Sequence, residues 1–342
     1  MTDKTIKLGL IGAGRIGTFH AETIVHRIPN ATLISIADPA PGAAELLSKR
    51  LGVSKSTDDI SALINDPDLQ GVIIASPARF HTDLVVQACE AGKHVFVEKP
   101  MALTIEDANR AIAAAENVGV TLQVGFNRRW DQAFAEGRGA IEGGKIGTPQ
   151  LLRSLTRDPG PFGADPLQIP QWTIFYETLI HDFDTLNWLN AGASPVEVYA
   201  TADALVAPEA KSSGHLDTAV VTIKYDNGAI AVAEANFSAL YGYDIRGEVF
   251  GSEGMVTMGE MQRSSMAFYS AAGVSQDTLR KDTERFLWSY AAEFQAFVNA
   301  IDGQIVGLPS GEDAKMALAV ALAAIESVKT NAPVTIASMV KS

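Results

Sequence analysis

The sequence predicts an α/β chain in two parts, a doubly wound parallel sheet followed by an α+β domain on a large, mostly antiparallel open sheet. Three observations predict it. A glycine string, Gly12-Ala13-Gly14-Arg15-Ile16-Gly17, stands between an apolar run and a helical pattern. Apolar runs and helical patterns then alternate as far as Val124, as βαβ units with right-handed crossovers do. Beyond that point strand patterns follow one another with short turns, which implies hairpin-connected, antiparallel strands. The expected division is residues 1–124 and 125–342.

In the first part Ile6–Ile11 reads as a strand, and Phe19, Ala21, Ile24 and Val25 mark the helix after the glycines. Thr32–Ala37 is the second strand and ends in Asp38. Ala43–Leu51 and Asp58–Leu63 read as helices, and Gly71–Ala75 as a buried strand stopped by Ser76-Pro77. His81–Ala91 is helical, Val95–Val97 is a strand, Ile105–Asn117 is an alanine-rich helix, and Thr121–Val124 closes the series.

In the second part a helix follows Phe126-Asn127-Arg128-Arg129-Trp130 and is punctuated by the glycines from Gly143 to Pro149. Strands are expected at Gln150–Leu155, Val196–Ala202, Ala219–Tyr225, Ala229–Phe237, Asp244–Phe250 and Met255–Met258. Asp226-Asn227-Gly228 is a hairpin turn signal. Helices are expected at Glu177–Leu189 and Tyr290–Ile301, and a last one at 312–329 is expected to pack back on the first domain. Ala229-Ile230-Ala231-Val232-Ala233 is apolar at successive positions, whereas a half-solvated strand alternates. Both sheet faces are therefore expected to be covered, one by helices and one by another subunit.

With 342 residues, 47% of them hydrophobic, the chain has the material for two folded cores. The 27 basic and 40 acidic side chains give a net charge of −13 without a basic cluster, which argues against nucleic acid and anionic membranes as partners. Cys89 is the only cysteine, so neither an intramolecular disulfide nor a thiolate metal cluster is expected. No apolar stretch is long enough to span a bilayer, and the start of the chain lacks a signal peptide's apolar core. A cytoplasmic protein is the expectation.

The glycine string gains meaning from its setting. It follows a strand and opens a helix, and Asp38 lies 21 positions beyond Gly17, close to the spacing of a dinucleotide-binding Rossmann fingerprint. Gly12 permits the tight turn, Gly14 admits the pyrophosphate, and Gly17 allows close helix–strand packing. Ala13, Arg15 and Ile16 complete the phosphate-binding turn, and the helix start offers N–H groups to the phosphates. Asp38 is expected to accept from the ribose hydroxyls and to repel a 2′-phosphate. Pro39-Ala40-Pro41-Gly42 supplies no arginine to receive one, so NAD is expected over NADP. Ser76 and Pro77 end their strand at the cofactor edge, and His81 is a candidate for the nicotinamide side.

Lys99 sits in Val95-Phe96-Val97-Glu98-Lys99-Pro100, a charge at the end of an apolar strand, where open α/β sheets place their ligands. Glu98 and Lys99 are therefore cofactor-side candidates. His181 has the richest setting of the six histidines. On a helix, Glu177, His181 and Asp184 fall at i, i+4 and i+7 on one face. A carboxylate one turn from an imidazole suits a general base, and the same face also suits a divalent metal.

Taken in order, the glycine string, Glu98-Lys99-Pro100, Gly125-Phe126-Asn127-Arg128-Arg129, Ile146-Gly147-Thr148-Pro149, Arg157-Asp158-Pro159, His181-Asp182-Phe183-Asp184 and Tyr241-Gly242-Tyr243-Asp244 resemble the glucose–fructose oxidoreductase and inositol dehydrogenase family, with the inositol branch nearest. The resemblance implies oxidation or reduction of a sugar or polyol carbon by a bound nicotinamide, and a tetramer built through the open sheet as a dimer of dimers. It implies that Lys99 is the active-site lysine before a cis Pro100, and that His181 is the catalytic histidine. Thr178 then contacts substrate, with Asn127, Arg128, Arg157, Glu177 and Tyr241 as further substrate candidates. Glu177 departs from the aspartate usual in inositol dehydrogenases, and Trp172 and Tyr176 stand where glycines are common.

The reading that follows is NAD-dependent oxidation of a secondary hydroxyl on a cyclic polyol or sugar. Lys99, His181 and Glu177 are the catalytic candidates, and no metal is required. Either Lys99 or His181 can be the formal base. The alternatives are a sugar dehydrogenase or reductase of other specificity, a glycosidase that retains NAD, and a non-catalytic NAD sensor.

Overall fold

The structure, a computed structural model, describes residues 5–160, 169–304 and 307–340. They form two compact units. One contains the residues up to Trp130 together with Trp288–Met316, and the other contains Asp131–Leu287 together with the residues from Ala317 onward. The chain thus returns to the first unit late, and it does so from Trp288, ahead of the last helix.

The first unit alternates β1 (Ile6–Ile11), α1 (Arg15–Arg27), β2 (Ala31–Ala37), α2 (Ala43–Leu51), β3 (Lys55–Thr57), α3 (Ile60–Ile64), β4 (Gly71–Ile74), α4 (His81–Glu90), β5 (His94–Val97), α5 (Ile105–Val118) and β6 (Leu122–Val124). All its strand pairs are parallel, in the order β3-β2-β1-β4-β5-β6. The order reverses beside β1, so the crevice past the carboxyl ends of β1 and β4 is the expected ligand position. β3 has no counterpart in the sequence reading. It is three polar residues on the sheet edge and carries no hydrophobic period.

The second unit begins with α6 (Gln132–Glu142) and β7 (Pro149–Arg157). A π-helical turn, Ile174–Leu179, runs into α7 (Ile180–Leu189). There follow β8 (Pro195–Asp203), β9 (Thr218–Tyr225), β10 (Ile230–Asn236), β11 (Asp244–Gly251), β12 (Met255–Met258), β13 (Gln262–Ser270), β14 (Gly273–Thr278) and α8 (Asp282–Arg285). Then α9 (Leu287–Ile301) brings Phe294 and Phe297 into the core of the first unit, beside Leu10, Ile24 and Phe96. α10 (Gly311–Thr330), β15 (Val334–Thr335) and α11 (Ile336–Val340) end the described chain. Only the start of α10 belongs to the first unit. Ser327, further along it, accepts from the amide of Ala200 on β8. The helix expected to pack back on the first domain is thus divided, its start with the first unit and the rest with the second.

The seven-stranded sheet of the second unit has the order β12-β11-β7-β10-β9-β8-β15. β7 and β10 are parallel and every other neighbour is antiparallel. That one parallel pair requires a crossover rather than a hairpin, and the segment carrying α7, β8 and β9 supplies it. Among the described residues β13 and β14 pair with each other alone, and they are exposed along most of their length, Met266, Phe268, Tyr269 and Val274 included; the sequence reading has no counterpart for them.

One sheet face is sealed by this chain. Leu152, Val198, Val221, Ile223, Ala231 and Val249 on it are fully buried. On the other face Ile230, Leu151, Phe250 and Met255 pair in register across four strands, with exposures of 46, 45, 47 and 52%. The apolar run at Ala229–Ala233 therefore divides. Ala231 and Ala233 point into the core, and Ile230 points outward.

Candidate functional site

The nucleotide crevice is built by backbone. Gly12 has φ +102°, and a Cβ on it would lie 2.6 Å from the Ala75 carbonyl oxygen. A Cβ on Gly17 would overlap the Gly12 carbonyl, whereas Gly14 faces open space. The first turn of α1 has neither a side-chain cap nor an acid, so its N–H groups and positive dipole end are offered to an anion. A cavity of about 920 Å³ opens there, lined by Gly12, Gly14, Arg15, Ile16, Asp38, Ser76 and Pro77. The hydroxyl of Ser76 is buried without a hydrogen-bond partner among the described residues. A tight glycine turn, an uncapped helix start, open space at Gly14 and an orphaned hydroxyl fit NAD.

Asp38 accepts from the amide of Ala13 at 2.7 Å and from that of Ala40 at 2.8 Å. It thus ties the glycine turn to the end of β2 as well as facing the crevice. Arg79 lines the same cavity, its guanidinium 4.5 Å from the ring centre of Phe80. The nearby arginines, Arg15 and Arg79, come from the ends of β1 and β4 rather than from Pro39–Gly42, a placement local sequence does not reveal.

Lys99 is half-buried past the carboxyl end of β5, and its bond to Pro100 is cis. Glu98 and His81 were expected beside the cofactor, and the structure puts both inside. Glu98 is 7% exposed, accepts from the Lys99 amide at 3.2 Å, and lies 2.6 Å from His20 Nε2. Burial pushes its carboxyl up, but the His20 hydrogen bond and the charges of His20, Lys99 and His81 outweigh this and hold it below the usual range. His81 is 1% exposed, with both ring nitrogens against backbone carbonyls. Neither residue lines the cavity. Sequence position placed Glu98 just past β5 and His81 at the start of α4, without showing that their side chains turn inward.

Glu293, on α9, is a group the sequence reading missed. It is fully buried, and its carboxylate oxygens have no hydrogen-bond partner among the described residues. Burial, reinforced by the charge of Glu98, raises its carboxyl well above the usual range. Asn127 and Arg128 form the turn just past β6 and are 3 and 2% exposed. Asn127 Oδ1 is buried without a partner among the described residues.

In the second unit α7 is pinned to the sheet by Asp182. Its carboxylate accepts from Ser154 Oγ at 2.5 Å and from Thr156 Oγ1 at 2.6 Å, both on β7. His181 precedes this anchor and is half-buried, and its carbonyl accepts from Thr185. Along the predicted face of Glu177, His181 and Asp184 the exposure falls step by step. Glu177 is exposed, His181 intermediate and Asp184 buried at 1%. Glu177 and Thr178 lie in the π-helical turn, whose winding is wider than that of the α-helix on which the face is drawn. Among the described residues no cluster of three or more His, Cys, Asp or Glu is placed to hold a metal ion.

Arg157 and Tyr241 come together away from α7. Arg157 alternates with Ser154 and Thr156 and so points to the opposite sheet face, where it meets Glu234 at 2.8 Å and hydrogen-bonds to Tyr241. The Tyr241 hydroxyl donates to Asp244 at 2.8 Å. Trp172 has φ +66°, a conformation costly for a bulky residue, and lies beside Phe175 and the Lys329 ammonium.

Residues 6–126 match the model of an oxidoreductase family with an NAD-binding Rossmann fold, and residues 138–336 match that family's C-terminal α/β domain. The chain is 34% identical to the NAD(+)-dependent scyllo-inositol 2-dehydrogenase of Bacillus subtilis over 96% of both chains. It is 36% identical to the myo-inositol 2-dehydrogenase of Thermotoga maritima over 95% of this chain and 96% of the relative. A crystal structure of the Lactobacillus casei scyllo-inositol dehydrogenase with NAD(H) and scyllo-inositol superposes with a TM-score of 0.93 at 30% identity, covering 98% of this chain and all of that one.

Proposed function

The chain belongs to the glucose–fructose oxidoreductase and inositol dehydrogenase family of NAD-dependent oxidoreductases, and from that membership we propose that it oxidises a secondary hydroxyl of an inositol-type ring to the ketone. The observation that carries the reading is an NAD crevice with Lys99 at the neighbouring strand end, in a chain whose relatives are named as inositol 2-dehydrogenases.

Bound NAD supplies the hydride acceptor at nicotinamide C4. His181 takes the hydroxyl proton on its imidazole, and Asp182 keeps the helix beneath it from shifting. Glu177 pairs with or orients that imidazole from the widened turn. The Lys99 ammonium donates to the substrate oxygen as alkoxide charge develops. Thr178, Asn127 and Arg128 are the hydroxyl-binding candidates, and the orphaned Asn127 Oδ1 suits a hydroxyl donor. Arg157 and Tyr241, engaged with Glu234 and Asp244, serve the sheet end instead.

A homotetramer, arranged as a dimer of dimers, belongs to the same proposal and is supported by the exposed apolar row on the outer sheet face. No helix among the described residues is long and apolar enough to cross a membrane. A cytoplasmic location fits the free, buried Cys89.

The test is a panel of inositols and aldoses with NAD and with NADP, followed by nicotinamide absorbance. An inositol with NAD is expected to give the highest kcat/KM. Failure of every inositol to reduce NAD overturns the substrate class, and sugar release without net NADH favours the glycosidase. Lys99→Ala and His181→Ala are each expected to lower kcat by about 100-fold or more, the scale of a positioned acid–base group, with NAD binding kept. Near-normal kcat in His181→Ala rejects it as the base.

A further inference from the structure

His81 opens α4 and is 1% exposed, yet its polar atoms are fully engaged. Nδ1 lies 2.8 Å from the Pro100 carbonyl oxygen, and Nε2 lies 2.8 Å from the Ser76 carbonyl oxygen. A carbonyl oxygen only accepts, so each bond needs a proton on the nitrogen that makes it. A neutral imidazole carries one such proton, and two bonds need two. Glu98, buried behind the same turn, interacts electrostatically with His81 and with Lys99 and His20, so a counter-charge is in place.

The two carbonyls belong to loops with different duties. Ser76 follows β4 and lines the NAD crevice with Pro77. Pro100 follows Lys99 past the end of β5. α4 thus begins with a side chain that reaches both.

We propose that His81 is a positioning residue. Carrying a proton on each ring nitrogen, it straps the Ser76 carbonyl to the Pro100 carbonyl and holds the crevice wall and the Lys99 turn at one spacing. The part concerning turnover rests on the role given to Lys99 above, and the part concerning NAD does not.

Asparagine presents an amide N–H near the position of Nδ1 and glutamine one near that of Nε2, so each keeps one of the two bonds. His81→Asn keeps the Pro100 bond, and its KM for NAD is expected to rise about tenfold with kcat within about twofold of the parent. His81→Gln keeps the Ser76 bond, and the reverse is expected, with kcat down about tenfold and KM for NAD nearly unchanged. Equal losses in both parameters for both variants, as for a merely structural residue, overturn the proposal, and so does no loss in either. Lys99→Ala serves as the control. If it keeps full turnover, the reading of Lys99 has failed, and the NAD response of His81→Asn alone decides the strap. Should neither variant fold, ¹⁵N-histidine spectra of the unsubstituted enzyme at neutral pH decide. An imidazole protonated at both nitrogens, with ring protons close to those of Pro100, is expected, and its absence overturns the proposal.

Discussion

Asp38 illustrates how much one side chain carries. Its carboxylate restrains the glycine turn through Ala13 and the following loop through Ala40, and it stands in the crevice where the ribose hydroxyls are expected. Asp38→Ala is therefore expected to weaken NAD binding by roughly 1–3 kcal/mol, the scale of a lost charged hydrogen-bond partner. Titration of NADH fluorescence checks this. The preference for NAD over NADP should narrow in the same variant, because the repulsion is gone while Arg15 and Arg79 remain. Glu293 is a second residue whose chemistry is set by burial. Its carboxyl is raised from 4.5 in the folded chain, so above that pH the unfolded chain loses a proton that the folded chain retains. Stability from this group is full below about pH 4.5 and falls as pH rises toward the folded value. Glu293→Gln is thus expected to raise Tm at pH 7 by a few degrees for each ~1 kcal/mol relieved and to leave it nearly unchanged at pH 4, as thermal unfolding at both pH values will show.

At the scale of elements, α7 shows what periodicity sees and what it misses. The helix was legible in Glu177–Leu189, and so was the prominence of His181. The π-helical turn was not, because nothing in Ile174–Leu179 demands wider winding. It runs directly into the part of the helix fixed to the sheet, where Asp182 is bonded to two hydroxyls of β7. Asp182→Ala leaves Ser154 and Thr156 without that acceptor. It is expected to cost about 1–3 kcal/mol of stability and to lower kcat, whereas Asp182→Asn, which retains one acceptor oxygen, should lose less of both. Urea unfolding and steady-state kinetics on the pair check this. The Rossmann elements were legible almost residue by residue, since buried parallel strands read as continuous apolar runs. β3, a polar strand at the sheet edge, and β13 and β14, exposed along most of their length, were not.

For the whole molecule, the outer sheet face is the decisive surface. Ile230, Leu151, Phe250 and Met255 form an exposed apolar row of the kind that marks association. Light scattering at micromolar concentration is expected to give two or four times the chain mass. Phe250→Glu should shift the population toward smaller species while leaving the fold intact by circular dichroism. An unsubstituted chain that is monomeric and active removes the association proposal.

The sequence by itself determined the fold class, the NAD-binding turn and Asp38, the strand end bearing Lys99, and the helix bearing His181. These follow from local chemistry, because a tight turn needs glycine, a buried strand needs an apolar run, and a helix needs its period. Only the tertiary structure decided that His81 and Glu98 turn inward, that Arg157 faces away from α7, and that Glu293 lies buried near Glu98. The return of α9 to the first core was likewise invisible in sequence. Each of these depends on which distant segments pack together, and a charged side chain reads the same in sequence whether its partner is water or a buried carbonyl.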